Sequence, residues 1–152
     1  MSSTACPLCA LKPDQLLWSG AGLQVLAVTD SPFPGYTRVI WQEHVAEMTD
    51  LSEEQRQYIM AAVYVVEQTQ REQLGVTKIN LAQFGNQVPH LHWHIIPRWK
   101  DDPFFPDSVW SPAPTRTEEQ KQGWASHEER LLEQVSQYQQ ALCTALKARF
   151  KH

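Results

Sequence analysis

The chain has 152 residues, 42 % of them apolar, with 13 Lys plus Arg against 17 Asp plus Glu and a formal charge of −4. That length suits one domain, since two half-sized cores would each be marginal. The apolar share excludes a disordered chain, the mild acidity argues against a nucleic-acid binder, which needs a basic face, and no apolar run reaches the ~18–20 residues of a membrane helix.

The opening Met1-Ser2-Ser3-Thr4-Ala5-Cys6 lacks a basic region followed by an apolar block, so a cytoplasmic setting is expected. Three cysteines do not make a disulfide framework, because the count is odd and the expected compartment is reducing. Cys6 and Cys9 sit as Cys-Pro-Leu-Cys, a spacing that could be half a metal site. Residues 1–20 read as irregular. Gly22 to Val28 has strand composition, and Asp30-Ser31-Pro32-Phe33-Pro34-Gly35 gives dense turn signals. Tyr36 to Trp41 is β-branched and aromatic and reads as a second strand.

The clearest helix follows. Ser52 and Gln55 form a capping-box pattern, with Glu53 and Glu54 at the positive end of the dipole, where they are expected to be solvated. Ile59, Ala62, Val63 and Val66 recur at helical spacing, and Gly75 stands where a helix ends. Thr77 to Gln83 alternates as a third strand, Gly85-Asn86 signals a turn, and Val88 to Ile96 reads as a fourth strand. Pro97 to Pro114 is expected to be an ordered loop, because Trp99, Phe104, Phe105 and Trp110 want cover. Residues 115–152 read as a helical extension of a domain spanning 1–114. Leu131, Val135, Tyr138, Leu142 and Leu146 form one apolar stripe that would pack on the domain or on a second subunit. Cys143 in that helix reads as a small apolar residue, and His127 and His152 as exposed.

The informative segment is Gly85-Asn86-Gln87-Val88-Pro89-His90-Leu91-His92-Trp93-His94-Ile95-Ile96-Pro97-Arg98. On a strand, His90, His92 and His94 would share one face, with backbones ~6.6–6.8 Å apart, and Leu91, Trp93 and Ile95 would share the buried one. With six histidines in the chain, such a triple arises by chance in about one chain in a hundred. Imidazole near neutral pH serves as nucleophile, acid or base, or metal ligand. A nucleophilic ring needs an acceptor on its other nitrogen, and backbone carbonyls offer one. N–H groups of Gly85-Asn86-Gln87 suit a phosphate, as do the Asn86 and Gln87 amides. Arg98 and Lys100 could steer a phosphate or simply be surface charges.

His90-Leu91-His92-Trp93-His94-Ile95-Ile96 resembles the signature of the histidine triad (HIT) superfamily, three histidines alternating with apolar residues. Asp30 with Pro32, Pro34 and Gly35 resembles that family's ribose-side loop, Val39 to Val45 its strand and histidine before the long helix, and Asn80 an asparagine near its phosphate. The likeness covers roughly residues 5–110, and the chain resembles a bacterial-type HIT hydrolase similar to dinucleoside polyphosphate hydrolases. It implies an α+β fold, with an antiparallel sheet of about five strands, one long helix and a C-terminal helix, assembled as a homodimer. It further implies a nucleotide substrate, a purine by default. His92 would attack the α-phosphorus to give a nucleotidyl-histidine, His94 would contact phosphate or leaving group, and the His90 carbonyl would orient His92. Asn80, Asn86 and Gln87 would line the phosphate pocket, and Asp30 would meet the ribose. Two departures stand out: Gly35-Tyr36 where many members have Gly-His, and Asn86-Gln87 where Gln precedes Ser or Thr.

A subset of the superfamily, including galactose-1-phosphate uridylyltransferases, is similar in a further respect. It implies a structural zinc on Cys6, Cys9, His44 and His90 that leaves His92 free of metal. Two thiols packed under the sheet edge without metal are the alternative. Two other functions stay open beside the enzyme. One is a non-catalytic nucleotide-binding regulatory protein. The other is a metallohydrolase whose histidine row holds a catalytic metal.

Overall fold

The computed structural model describes residues 6–151, so expectations for Met1 to Ala5 and for His152 fall outside the described residues. In chain order the elements are β1 (Leu16–Gly20), β2 (Leu23–Ala27), β3 (Thr37–Trp41), α1 (Glu53–Leu74), β4 (Lys78–Ala82), β5 (His92–Arg98) and α2 (Glu118–Arg149). The strands form one antiparallel sheet in the order β1-β2-β3-β5-β4, an α+β architecture. No described helix is long and apolar enough to cross a membrane.

One correction concerns the N-terminal stretch, where β1 occupies part of the segment read as irregular. Gly20 pairs with Leu23, so only Ala21 and Gly22 connect the two strands, both at positive φ (53° and 77°). Such a turn twists with its strands but asks for φ > 0 twice, which alanine rarely adopts. The usual Asn-Gly or Asp-Gly signal is therefore missing.

The α1 helix begins as expected. Ser52 accepts from the Gln55 N–H, and Gln55 Oε1 accepts from the Ser52 N–H at 2.8 Å. Gly75 closes it in the left-handed region at φ 57°. Its Ile59, Ala62, Val63 and Val66 lie on the sheet face that carries Val39 and Ile95. The α2 stripe joins the same cluster through Leu131, Tyr138, Leu142 and Leu146, while Val135 is half-buried. Tyr138 also donates or accepts at Thr37 Oγ1, 2.7 Å away. Cys143 is half-buried, with Sγ 3.0 Å from the Leu17 carbonyl.

The histidine strand starts later than its alternation suggested. Pro89 has no N–H to give, and the His90 N–H turns back to the Val88 carbonyl at 2.8 Å. Regular pairing therefore begins at His92, and His90 sits just before β5. At the far end Pro97 is tolerated because pairing with β3 stops at Ile95, leaving that side of β5 free.

Candidate active site

Both faces of the sheet are covered, one by helices and the other only at its ends. At one end Cys6 and Leu8 pack on Ile40. At the other, Phe33 and Tyr36 pack on Ile96, with Phe104 and Val109 of the 98–110 loop beside them. The gap between these two plugs is a cleft of about 480 Å³ floored by Arg38, His92 and His94 and overhung by Phe84 and Trp110. The plugs correct the expectation that the face of Leu91, Trp93 and Ile95 is the buried one. His90, His92 and His94 are all buried, whereas Trp93, on the opposite face, is only half-buried.

The register explains which side chains meet. On antiparallel strands, directly paired residues point the same way. Ile40 pairs with His92, and Arg38 with His94, so both β3 side chains rise on the histidine face. His92 Nδ1 lies 2.6 Å from the His90 carbonyl oxygen. A carbonyl can only accept, so Nδ1 carries the proton and Nε2 keeps a free lone pair. Burial lowers the His92 pKa below its ordinary value, helped by the Arg38 charge and opposed by the carbonyl contact. His94 is pushed down to about 4, by burial first and then by His92 and Arg38. Both rings are therefore neutral at neutral pH. The Tyr36 hydroxyl lies 2.6 Å from His94 Nδ1 and holds that ring edge-on to His92, with centroids 4.9 Å apart.

His90 does different work. Its Nε2 lies 2.6 Å from the Trp41 carbonyl and must donate, so Nδ1 is the lone-pair nitrogen. That Nδ1 lies 3.4 Å from Cys6 Sγ, 3.4 Å from Cys9 Sγ and 3.2 Å from His44 Nδ1. Cys9 Sγ is 3.3 Å from His44 Nδ1, and the four ligand atoms lie within 4.8 Å of one another. Zn–N of ~2.05 Å and Zn–S of ~2.3 Å at tetrahedral angles give ligand-to-ligand edges of about 3.3–3.8 Å. The four donors are gathered at nearly that separation. Two thiolates and two imidazoles, one oriented by a carbonyl on its far nitrogen, suit a structural Zn²⁺. The triad nitrogens do not converge in this way. His90 faces the cysteines, His92 Nδ1 its carbonyl, and His94 Nδ1 the tyrosine.

Of the other expected site residues, Asn86 and Gln87 line the cleft. Asn80 and Asp30 do not. Asn80 Oδ1 accepts from Arg98 Nη1 at 2.8 Å, and Asp30 is exposed on its loop. Arg98 is buried and ion-paired to Asp102 at 2.8 Å, so it is no steering charge, while Lys100 is exposed. His127 is half-buried rather than exposed, with Nδ1 3.0 Å from the Asp101 carboxylate. Sequence reasoning missed Arg38, Phe84 and Trp110 as cleft residues. For Arg38 a signal existed, since Tyr36, Arg38 and Ile40 alternate along a strand that had to lie beside the histidines.

A family model described as HIT domain matches residues 13–101. A histidine triad protein from Marinobacter aquaeolei VT8 is 31 % identical, over 79 % of this chain and 89 % of its own, with a TM-score of 0.59. One from Bradyrhizobium japonicum is 25 % identical, over 83 % and 99 %, with a TM-score of 0.61. A zinc-bound histidine triad family protein from Mycobacterium smegmatis shares the fold at 23 % identity, covering 86 % and 97 %, with a TM-score of 0.55. No protein of curated function matches the chain.

Proposed function

The chain belongs to the histidine triad family, and on that premise we propose that it is a nucleotide hydrolase or nucleotidyl transferase acting at an α-phosphate. The reading is carried by one observation: His92 Nδ1 spends its proton on the His90 carbonyl at 2.6 Å, leaving Nε2 unprotonated in the cleft. In the first step the Nε2 lone pair forms the N–P bond, and the bond from phosphorus to the leaving atom breaks, its electron pair going to that atom. In the second, water attacks phosphorus and gives a proton to solvent. The N–P pair returns to Nε2, and a nucleoside monophosphate leaves. His94, its Nδ1 held by Tyr36, offers Nε2–H to a phosphate oxygen or to the leaving group. Asn86 and Gln87 on the cleft wall meet the remaining phosphate charge with amide N–H groups.

The substrates that fit are dinucleoside polyphosphates and nucleoside phosphoramidates, with a purine as the family default. Cys6, Cys9, His44 and His90 would hold a structural zinc, which ties the N-terminal segment to the residue whose carbonyl orients His92. β4 at the sheet edge is the strand through which a homodimer would join its two sheets.

The test is turnover of both substrate types by the purified chain, with release of nucleoside monophosphate. His92→Asn lowers turnover by about 10³-fold or more while nucleotide still binds. Nucleotide binding without turnover in the unsubstituted protein would overturn the enzyme in favour of a regulatory nucleotide binder.

A further inference from the structure

The cleft contains a charge that the chemistry above leaves idle. Arg38 sits inside the sheet, paired with His94 and two positions along β3 from Ile40, which pairs with His92. Its Nε is buried without a hydrogen-bond partner, and no carboxylate among the described residues pairs with it. Among the described residues no Asp or Glu lines the cleft. The Tyr36 ring lies 5.8 Å from Cζ of the guanidinium, a neutral partner that leaves the charge without a counter-ion. The Tyr36 hydroxyl faces His94 Nδ1 and stays protonated, so it gives Arg38 a neutral oxygen and not an anion. An unpaired guanidinium in a half-closed site costs free energy unless a ligand supplies the anion. In a chain of net charge −4, the placement is not a general basic surface.

Resting on the nucleotide reading, we propose that Arg38 is the specificity-determining residue that selects substrates whose phosphate chain continues beyond the reacting phosphate. In the proposed reaction the reacting phosphate would meet His94 and the amides of Asn86 and Gln87, all of which line the cleft. Each further phosphate adds negative charge, and a guanidinium presents a fixed fork that grips two phosphate oxygens at once. Among the described residues lining the cleft, Arg38 is the one arginine or lysine. Substrates with a polyphosphate leaving group are then favoured over those releasing an amine.

The experiment is calorimetric binding of a nucleoside 5′-monophosphate and the matching 5′-triphosphate to full-length protein carrying His92→Asn, which stops turnover. With Arg38 present, the triphosphate binds at least about tenfold tighter than the monophosphate. Adding Arg38→Gln shrinks the ratio below about threefold, and Arg38→Lys keeps part of it, because a charge without the fork remains. An unchanged ratio in Arg38→Gln overturns the inference while leaving the nucleotide reading intact. If Arg38→Gln does not fold, the Arg38-bearing protein decides alone, since equal affinities for the two nucleotides overturn the inference. Failure of the Arg38-bearing protein to bind either nucleotide overturns the nucleotide reading and the inference with it.

Discussion

Cys9→Ser separates a metal centre from a pair of idle thiols. Cys9 is exposed, and its Sγ lies 3.3 Å from His44 Nδ1 and 3.4 Å from His90 Nδ1. Without metal the change is a surface substitution, worth about ±0.5 kcal/mol at most. With metal it removes one of four ligands. Structural zinc sites bind with roughly 10–16 kcal/mol, so one ligand carries on the order of 3 kcal/mol. At roughly 2–4 °C per kcal/mol for a domain of this size, the melting temperature falls by about 6–12 °C. Elemental analysis of the purified chain is expected to give one zinc per polypeptide, and Cys9→Ser to release it to a weaker chelator. A chelator strong enough to strip the unsubstituted protein should lower its melting temperature by at least that amount. If Cys9→Ser melts within a degree of the unsubstituted protein, and neither contains metal, the argument from donor geometry is wrong.

Two further perturbations probe the cleft. Tyr36→Phe keeps the ring but removes the hydroxyl 2.6 Å from His94 Nδ1, leaving a buried nitrogen without its partner. The cost is about 1–3 kcal/mol of stability and on the order of a tenfold loss in kcat, and steady-state kinetics with a thermal melt would contradict this if neither parameter moved. The second concerns pH. His94 has a folded pKa of about 4 against roughly 6.5 in an unfolded chain, so it binds its proton more readily once unfolded. The stability it contributes is therefore complete above about pH 6.5 and lost as pH falls towards 4, amounting to about 3 kcal/mol. Denaturant unfolding at pH 7.5 and 5 should show a smaller pH dependence in His94→Gln than in the unsubstituted protein. Identical pH dependence would mean that the ring is not held neutral by its surroundings.

β2 to β5, α1 and the α2 stripe were legible because each repeats an apolar residue at its own period. Ser52 and Gly75 mark the ends of α1 with side-chain and backbone chemistry that a sequence displays directly. β1 was hidden because its turn places Ala21 at φ 53°, a choice local preference opposes and pairing with β2 overrides. The three histidines were visible as a unit, but their division of labour was not. Alternation alone puts all three on one face, whereas the break at Pro89 turns His90 towards the cysteines and leaves only His92 and His94 in the cleft. Arg98 and Arg38 show the limit most clearly. Both are arginines on adjacent strands, yet one is neutralised by Asp102, four residues on, and the other by nothing among the described residues. Only tertiary contacts tell them apart.

The central claim is that a neutral nitrogen of His92 becomes bonded to phosphorus during turnover. The most direct measurement is acid-free rapid quenching of the protein with a substrate labelled in its nucleotidyl group, followed by peptide mapping. The expected result is one nucleotidyl group on the peptide spanning His90 to Arg98, attached at His92 and absent from His92→Asn. Label on a different residue, or steady product release by His92→Asn, would contradict it.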